Sequence, residues 1–453
     1  MNIELIRKYN VPGPRYTSYP TVPYWDKEGI DNKTWESSVK SIYQKEKSYG
    51  ISLYIHLPYC ESLCTFCACH KHITKRHDVE LPYIDSVIKE WNLYRELLDE
   101  KPLIKEIHLG GGTPTFFSPD ILKHLIESIT ENCEISEDYE FSFEGHPNNT
   151  TKEHLQSLYD VGFRRVSFGV QDYDPIVQLA INRVQPYENV EKVHNWSKEV
   201  GYTSISHDIV FGLPHQKLEG MLETIELTNE LRPDRLAFYS YAHVPWIKGV
   251  GSRGYDDNDL PSNEEKRALY EEGKKALESN GYFEIGMDHF ALKSDNLYSH
   301  YNEEKLHRNF MGYTTNNTKL MIGLGMSSIS DSWTGFAQNV KTVKEYHQLI
   351  DQGKIPIFRG HKLNEEDLLI RKHILEIMCH FKTNWKKNIN NEKYFDQINE
   401  RLSSFVTDNL MQITDNKIIV TEKGKPFVRN ICMAFDLRLN RHKPTTKLFS
   451  QTI

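Results

Sequence analysis

Between Ile51 and His243 the chain repeats one pattern, in which a short apolar run precedes a stretch with helical periodicity. The runs are rich in β-branched and aromatic residues, as buried strands are. Strands that alternate with helices predict an α/β fold with a parallel sheet wound by helices. Helices are predicted near 83–98 and 121–129. The six runs are "ISLYIHL" from Ile51, "IKEIHL" from Ile104, "YEFSFE" ending at Glu144, "RRVSFGVQ" ending near Gln171, "SISHDIVFGLP" with Asp208, and "RLAFYSYAH" ending near His243.

Polar residues and glycines fall where these runs end. In an α/β barrel, the carboxyl ends of the strands form the face on which active sites are built. Gly110, Gly111 and Gly112 follow the second run, where glycines let the backbone approach a ligand closely. A tight turn from strand to helix is the alternative interpretation. The spacing differs from G-x-G-x-x-G and so does not predict a dinucleotide site.

A change of pattern near 360–364 predicts a domain boundary. Beyond it, "EEDLLIRKHILEIMCHF" has helical periodicity with an acidic first turn, and "MQITDNKIIVTEKG" is typical of a hairpin. Helices with a hairpin resemble a winged-helix unit, which we expect to cover the barrel mouth or to dock an electron donor. The predicted organisation is an N-terminal arm over 1–45, a catalytic barrel with an extension over 46–362, and a mostly helical, winged-helix-like domain over 363–453.

Composition narrows the classes of function. The chain has 453 residues and a net charge of −8, which gives no overall basic surface for nucleic acid or an anionic membrane. The sequence contains neither an apolar signal core at its start nor an apolar run of about 18 residues. We therefore expect a cytoplasmic protein with reduced thiols and with neither a nucleic-acid nor a membrane partner.

Four of the seven cysteines are concentrated in one short segment, "CESLCTFCAC". Their spacing is C-x3-C-x2-C-x-C, and in a reducing compartment such a cluster indicates metal binding rather than disulfides. Three thiolates at this spacing can each bind one iron of a cubane and leave the fourth iron open. A zinc site stays open as an alternative because His56, His70, His72 and His77 flank the segment. Cys133, Cys379 and Cys432 lie alone in apolar surroundings and are interpreted as small buried residues.

The C-x3-C-x2-C spacing within "CESLCTFC" resembles the signature of radical S-adenosylmethionine (SAM) enzymes. The resemblance implies that Cys60, Cys64 and Cys67 hold one [4Fe–4S] cluster, with SAM on the fourth iron. It also implies a partial (βα)6 barrel, which fits the number of predicted strands. Cys69 is not expected to be a ligand.

A narrower resemblance runs from about Tyr9 to Asp436. It rests on segments in a fixed order, which include "GPRYTSYPT", "CTFCACHK", "SFGVQD", "DIVFGLPHQ", "GMDHFAL" and "LHRNFMGYTT". These resemble the oxygen-independent coproporphyrinogen III oxidases of haem biosynthesis. That family converts two propionates of coproporphyrinogen III to vinyls and forms protoporphyrinogen IX, using a SAM-derived 5′-deoxyadenosyl radical. Two alternatives are a haem-binding or haem-delivery protein on the same scaffold and a radical SAM enzyme that acts on haem; Cys69 and Arg15 favour the oxidase.

The resemblance also implies contacts to two SAM molecules. The residues that match contacts to the first are Tyr54, Gly111, Glu144 and Ile329. The residues that match contacts to the second are Phe66, Gly112, Thr113, Gln171, Arg183, Asp208 and Ala242.

A substrate with four carboxylates calls for basic side chains, because guanidinium groups pair well with carboxylates. The candidates are Arg15 in the arm, Arg308 in "LHRNF" and His289 in "GMDHFA", the last as a polar contact or proton donor. Met311 stands where many relatives carry glutamine, which argues against a polar role at this position. The segment 244–262 is predicted to be a loop that acts as a lid. The expected partners are the tetrapyrrole and an electron donor such as flavodoxin or ferredoxin, and the expected state is a monomer.

Overall fold

The computed structural model describes residues 3–26, 29–98, 101–246, 254–389, 391–415, 417–446 and 448–452. The predicted lid 244–262 falls partly outside these ranges, since 247–253 are not described. The strands are β1 (Ile51–Leu57), β2 (Tyr59–Cys60), β3 (His72–Ile73), β4 (Leu103–Gly111), β5 (Glu134–Gly145), β6 (Arg165–Gln171), β7 (Ser204–Phe211), β8 (Arg235–Ser240), β9 (Phe283–Glu284), β10 (His289–Ala291), β11 (His307–Asn309), β12 (Gly312–Thr314), β13 (Met321–Leu324), β14 (Ile329–Asp331), β15 (Gly335–Asn339), β16 (Ile357–Lys362), β17 (Lys382–Asn384), β18 (Met411–Thr414) and β19 (Lys417–Val420).

The helices of the described ranges surround these strands or follow them. They are α1 (Ile3–Tyr9), α2 (Asn32–Glu46), α3 (Glu80–Leu98), α4 (Pro119–Thr130), α5 (Lys152–Asp160), α6 (Pro175–Ala180), α7 (Tyr187–Val200), α8 (Leu218–Leu231), α9 (Asn263–Ser279), α10 (Asn296–Asn302), α11 (Val343–Asp351), α12 (Glu365–His380), α13 (Glu392–Thr407), α14 (Val428–Phe435) and α15 (Leu437–Arg441). None of the helices in the described residues is long and apolar enough to cross a membrane.

One twelve-stranded sheet organises the molecule, in the order β16-β15-β14-β13-β1-β4-β5-β6-β7-β8-β10-β9. The central strands from β13 to β8 are parallel, and antiparallel strands extend both edges. The six predicted strands are β1 and β4–β8, in the order of the chain. The prediction of an α/β fold with a partial (βα)6 barrel is therefore confirmed.

Helices pack on this sheet through a continuous apolar core. Trp35 of α2 and Trp91 of α3 are fully buried in it. Their indole N–H groups donate to the Tyr94 hydroxyl at 3.0 Å and to the Ile129 carbonyl at 2.9 Å. These bonds join α2, α3 and α4, and the bulk of the three helices closes one side of the sheet.

Residues at both ends of the chain share a second core. Leu5, Tyr9, Tyr16 and Tyr19 pack with apolar residues of 370–437. In the same region, the Arg429 guanidinium donates to the Pro14 carbonyl at 2.9 Å. The arm is thus held against the C-terminal helices. The division of the chain at 45 and 362 stays a prediction.

The C-terminal region is mostly helical, as expected, and begins with a strong helix start. Asn364 caps α12 by accepting from the Asp367 backbone N–H, and the Asp367 carboxylate accepts in return from the Asn364 N–H. The predicted hairpin forms β18 and β19, and β17 adds a third strand. Helices with a three-stranded sheet match a winged-helix-like unit.

Glu90 is a fully buried carboxylate that ties α3 to three other parts of the barrel wall. Its oxygens accept from the Gly325 N–H at 2.8 Å, the Tyr346 hydroxyl at 2.6 Å and the Asn339 amide at 2.7 Å. Burial raises its pKa to about 7, against these hydrogen bonds. The group therefore acts as a structural connector.

We expect Glu90→Ala to lower the free energy of unfolding by about 3 kcal/mol, because buried donors would lose their acceptor. Denaturant unfolding measures the change. Glu96→Ala is the matched control, since Glu96 is an exposed carboxylate of the same helix, and its effect should stay within about 0.5 kcal/mol. Equal stability of the Glu90→Ala variant and the parent would contradict the connector role.

Candidate active site

A large cavity opens at the carboxyl ends of the parallel strands. Its volume is about 750 Å³, and every strand of the partial barrel contributes residues to its wall or leads into a loop that does. This is the face where the sequence predicts the active site. The predicted site residues that line it are Arg15, Cys60, Cys64, Phe66, Cys67, Gly111, Gly112, Thr113, Glu144, Gln171, Arg183, Asp208 and Ala242.

The cysteine loop is held in place by neighbours from the far side of the barrel. The Thr65 backbone N–H and hydroxyl donate to the carbonyls of Ile181 and Ala180, at 2.9 and 3.0 Å. The Asn182 amide donates to the Leu63 carbonyl at 2.8 Å, and the Lys71 ammonium donates to the Cys67 carbonyl at 3.0 Å. The loop is therefore fixed at both its middle and its end.

Cys60, Cys64 and Cys67 are half-buried and free, and they face the cavity together. The Thr113 hydroxyl donates to the Cys60 sulfur at 3.3 Å, and an Arg183 N–H donates to the Cys64 sulfur at 3.7 Å. Burial raises the pKa of the Cys60 thiol to about 11. A hydrogen bond from Cys69 lowers the pKa of Cys67. Cys69 is thus placed beside a predicted ligand, as a donor to its sulfur.

The sequence left a zinc site open as an alternative to the cluster. Structural zinc takes three or four convergent ligands on one ion, whereas a cubane takes each thiolate on a different iron. Across the described ranges, no group of three His, Cys, Asp or Glu side chains is placed to hold a single metal ion.

Two glycines after β4 bring the backbone close to the cysteine loop. Gly111 has φ +113, a conformation that favours glycine, and a Cβ there would lie 2.6 Å from the His56 ring. A Cβ on Gly112 would lie 2.5 Å from the Pro58 carbonyl. The Gly112 N–H donates to the Leu57 carbonyl at 2.8 Å. The close approach favours the ligand-facing interpretation, because the same glycines line the cavity.

Polar side chains form a row across β5, β6 and β7. The strand register pairs Glu144 with Ser167 and Gly169 with Asp208, and the Ser167 hydroxyl donates to Asp208 at 2.9 Å. Burial raises the pKa of Asp208 to about 7. Burial also opposes the ionisation of Glu144, but His108 and the Gly111 N–H outweigh it and lower the pKa. Glu144 is therefore the carboxylate that stays charged most readily.

Arg183 crosses the cavity wall between β6 and the cysteine loop. Its guanidinium donates to the Gly169 carbonyl at 2.7 Å, beside the Gln171 side chain. Its Nε is buried and has no partner among the described residues. A buried, unpaired donor is costly and favours a ligand with acceptor atoms. Ala242 and Phe66 add apolar surface at the same end, with Phe66 packed on the Val177 cluster.

Four predicted site residues lie away from the cavity wall as the described residues define it. The Tyr54 hydroxyl contacts His56 Nδ1 at 3.1 Å, and His56 Nε2 contacts the His70 carbonyl at 2.9 Å. Because a carbonyl only accepts, Nε2 carries the proton and Nδ1 accepts from the tyrosine. Burial lowers the pKa of His56 to about 4. Tyr54 thus supports the end of the cysteine loop from behind.

His289 and Arg308 lie behind Tyr239, which does line the cavity. His289 contacts the Met287 carbonyl at 2.9 Å and the Tyr239 hydroxyl at 3.3 Å. Burial lowers its pKa to about 3, so it is neutral and accepts from Tyr239 rather than donating a proton. Arg308 is buried over the Tyr313 ring, with Nε and Nη1 unpartnered within the described part of the chain.

The last two residues singled out in the sequence, Ile329 and Met311, also lie outside the cavity wall of the described residues. Ile329 packs with Trp25 and Phe336 on β14, outside the cavity wall of the described residues. Met311 lies in the tight turn between β11 and β12, where its N–H donates to the Asn309 side chain at 2.9 Å. The turn thus keeps its shape with methionine at this position.

Sequence reasoning missed the residues that position the predicted ones. They include Asn182, which anchors the loop, and His108 and Tyr239, which support Glu144 and His289. His56 was named only for a possible zinc site, and in the structure it supports Tyr54. Asn182 directly precedes Arg183, and this adjacency in the sequence could have identified it as a candidate. The others depend on register across strands, which the sequence does not display.

Comparison with known proteins shows which family the chain is similar to. Residues 54–228 match the radical SAM superfamily model. An oxygen-independent coproporphyrinogen III oxidase of Helicobacter pylori strain J99 is 38% identical and covers 100% of this chain and 99% of its own length. The oxidase of Escherichia coli K12 is 35% identical over 100% of this chain and 98% of its own length. The solved structure of the Escherichia coli coproporphyrinogen III oxidase, titled a radical SAM enzyme, has a TM-score of 0.88 and 34% identity and covers 96% of this chain and 98% of that one.

The fold and the three-thiol loop define a radical SAM enzyme, an oxidoreductase that uses a [4Fe–4S] cluster and SAM. Within this class, the chain belongs to the oxygen-independent coproporphyrinogen III oxidase family. The site residues fit these groups. Three free thiols line one cavity, and Arg183 leaves a buried donor open toward it.

Proposed function

We propose that this protein oxidatively decarboxylates two propionates of coproporphyrinogen III to vinyl groups, which yields protoporphyrinogen IX for haem synthesis. The observation that carries the proposal is similarity over the whole chain, at 38% identity, to relatives named for this activity. The cavity that joins the cysteine loop to the polar strand ends supports it. The similar proteins carry the oxidase name, which gives the haem-delivery alternative no support.

Cys60, Cys64 and Cys67 would hold the cluster, and Cys69 would stay outside its ligand set. When bound, the cluster and SAM would supply the radical chemistry that the oxidation of a propionate requires. Glu144 is charged and would accept a hydrogen bond from a cationic amino group beside Gly111. The walls of the 750 Å³ cavity would shield the reacting carbon from water.

We further propose two SAM molecules, with the residues divided as the sequence resemblance implies. Gly112, Thr113, Gln171, Asp208 and Ala242 line the same cavity as Gly111 and Glu144, which supports two neighbouring ligands. The unpartnered Arg183 Nε adds a donor for the second ligand. Tyr54 and Ile329 would act from behind the wall, since neither lines the cavity of the described residues.

The proposed electron donor is a small redox protein such as flavodoxin or ferredoxin. The cysteine loop supports this because Glu61 and Ser62, which precede Cys64, are exposed and give a short path from the surface to the thiols. A monomeric state and a cytoplasmic location stay predictions.

Arg15 is the proposed substrate contact that the structure supports most directly, because it reaches from the arm to the cavity wall. It pairs with Asp288 at 3.2 Å and donates to the Ser240 carbonyl at 2.8 Å. We expect Arg15→Ala to raise the KM for coproporphyrinogen III about tenfold and to leave substrate-independent SAM cleavage unchanged. Steady-state kinetics with both readouts measures the effect.

Arg7→Ala is the control, since Arg7 is an exposed arginine of the same arm. Its KM should equal that of the parent. An unchanged KM in Arg15→Ala would remove Arg15 from the substrate site. A parallel loss of SAM cleavage would assign it to the SAM site or to folding.

An anaerobic turnover assay tests the proposed function. The reconstituted protein receives SAM, a reductant and either coproporphyrinogen III or haem, and the products are separated by chromatography. Protoporphyrin after oxidation, with methionine and 5′-deoxyadenosine, is the expected result from the first substrate alone. Retained or opened haem without protoporphyrin would favour the haem alternatives and overturn the proposal.

A further inference from the structure

A small second cavity of about 50 Å³ adjoins the active-site cavity. The arm, α9, the segment before β10 and α14 enclose it, and Arg15 and Ser240 line both cavities. One water needs roughly 10–15 Å³ of such space, so the chamber has room for a group of a few heavy atoms. It is too small for a pyrrole macrocycle. We call it the side chamber.

The lining of the side chamber is strongly basic. Its lining residues include five cations and two carboxylates. Some charges already have partners: Arg267 pairs with Glu271, Lys425 pairs with Glu422 at 2.7 Å, and Glu284 pairs with Lys274. The remaining groups are Arg15, Lys266, Arg429 and a single carboxylate, Asp288. Three cations thus share one counter-charge.

The ammonium group of Lys266 has N–H donors that no hydrogen bond in the described residues uses. Lys266 lies in the first turn of α9, and its ammonium group donates to the Tyr241 carbonyl at 2.9 Å. In the described part of the chain it forms no salt bridge. An ammonium group has three N–H donors, so further donors remain for a ligand. Burial and the charges of Arg15 and Arg429 lower its pKa to about 8.

Arg429 is buried and is bonded only to neutral groups. It donates to the carbonyls of Pro14 at 2.9 Å and Gln451 at 3.0 Å, and also to that of Gly13. It too forms no salt bridge within the described residues, and burial lowers its pKa to about 9. Burying cations without a counter-ion is costly. Among the described residues, the three cations therefore have one carboxylate, Asp288, and room for a further anion.

We propose that the side chamber binds one carboxylate of the substrate, with Lys266 as the contact inside the chamber, Arg15 as the contact at its opening toward the larger cavity, and Arg429 supplying positive charge behind them. This inference rests on the proposed function, which supplies a tetracarboxylate in the adjoining cavity. The size of the chamber fits a carboxylate on a short chain, and its opening toward Arg15 fits a macrocycle that stays in the larger cavity. The site anchors the substrate and takes no part in bond breaking.

SAM is the other source of a carboxylate, because its methionine end carries one. The two sources differ in which affinity depends on Lys266. A propionate contact makes the affinity for the tetrapyrrole depend on this side chain and leaves SAM binding alone. A contact to the methionine carboxylate makes the affinity for SAM depend on Lys266 and leaves the affinity for the tetrapyrrole unchanged.

The test compares Lys266→Gln with Lys275→Gln, which removes the same charge from an exposed position on the same helix. The first measurement is the KM for coproporphyrinogen III in anaerobic turnover. The second is the Kd for the oxidised, fluorescent coproporphyrin III, and the third is the Kd for SAM. We expect Lys266→Gln to raise the first two about tenfold or more and to leave the third unchanged. Lys275→Gln should leave all three at parental values.

Lys266→Arg guards against a folding effect, because it keeps the charge and should restore most of the tetrapyrrole affinity. An unchanged KM and coproporphyrin Kd in Lys266→Gln would overturn the inference, as would a selective rise in the Kd for SAM. A failure of the proposed function looks different. The parental protein would then form no protoporphyrin, whatever residue occupies position 266.

Discussion

Replacing Cys64 by serine is expected to remove the iron–sulfur cluster and to reduce turnover at least about a thousandfold, because Cys64 is one of the three thiolates proposed to hold the cubane. A serine hydroxyl stays protonated at neutral pH and replaces a thiolate poorly as an iron ligand. Cys64 is half-buried and faces the cavity beside Arg183. Its exchange changes little in the apolar core, so folding should be retained.

Iron and sulfide content, the visible absorption of the cluster and protoporphyrin formation measure this effect. Cys133→Ser is the control, since Cys133 is half-buried on the far side of α4 and its thiol contacts the Ile129 carbonyl at 3.3 Å. The control variant should keep its cluster and its activity. A Cys64→Ser protein with parental iron content would show that the ligand assignment is wrong.

The second large effect is expected at Gly112. A methyl group there would lie 2.5 Å from the Pro58 carbonyl oxygen and carbon and 2.9 Å from the Leu57 carbonyl oxygen. These are backbone atoms at the start of the cysteine loop, so no side chain can rotate away. Gly112→Ala should displace the loop and reduce SAM affinity and turnover at least about a hundredfold, because misplacement by about 1 Å has effects of this size.

Equilibrium binding of SAM and single-turnover cleavage measure the effect of Gly112→Ala. Gly220→Ala is the matched control. Gly220 lies in α8, where the atom nearest to an added Cβ would be a side-chain oxygen of Asp174, at 3.1 Å, rather than a backbone atom. Alanine in a helix interior is favourable, so this variant should fold and act like the parent. Parental SAM affinity in Gly112→Ala would mean that the loop adapts and that the close approach has no functional role.

The sequence predicted the parts of the site that depend on local pattern. Glu144 was identified because it ends an apolar run, and in a parallel sheet such ends meet on one face. Asp208 was identified through the resemblance to the family. The cysteine spacing identified the three thiols in the same way. The register that joins Ser167 to Asp208 was not predictable, because it depends on how separate strands align.

The sequence also could not predict the surroundings of residues whose contacts come from distant segments of the chain. Lys266 meets Arg15 and Arg429 only after the arm and the C-terminal helices have packed together. His289 in "GMDHFA" was predicted to be a polar contact or proton donor for the substrate, but in the structure it lies behind Tyr239 as a neutral acceptor. Burial of this kind follows from tertiary packing and has no signal in local periodicity.

Two of the SAM contacts that the family resemblance implies lie outside the cavity wall, unlike the others. Tyr54 and Ile329 match family positions, yet neither side chain lines the cavity of the described residues. Tyr54 reaches the cysteine loop through His56, and Ile329 on β14 packs against a cluster that includes Phe336. Their proposed effect on SAM is therefore indirect and would act through the position of the loop.

The central claim is that the cavity beside the three thiols decarboxylates propionates. The most direct measurement is release of labelled CO2 from coproporphyrinogen III labelled in its propionate carboxyls, under anaerobic conditions with SAM and a reductant. The account predicts label release that requires SAM, that ends at two carboxyls per substrate molecule and that is absent in Cys64→Ser. SAM cleavage without labelled CO2, or equal release from Cys64→Ser, would contradict it.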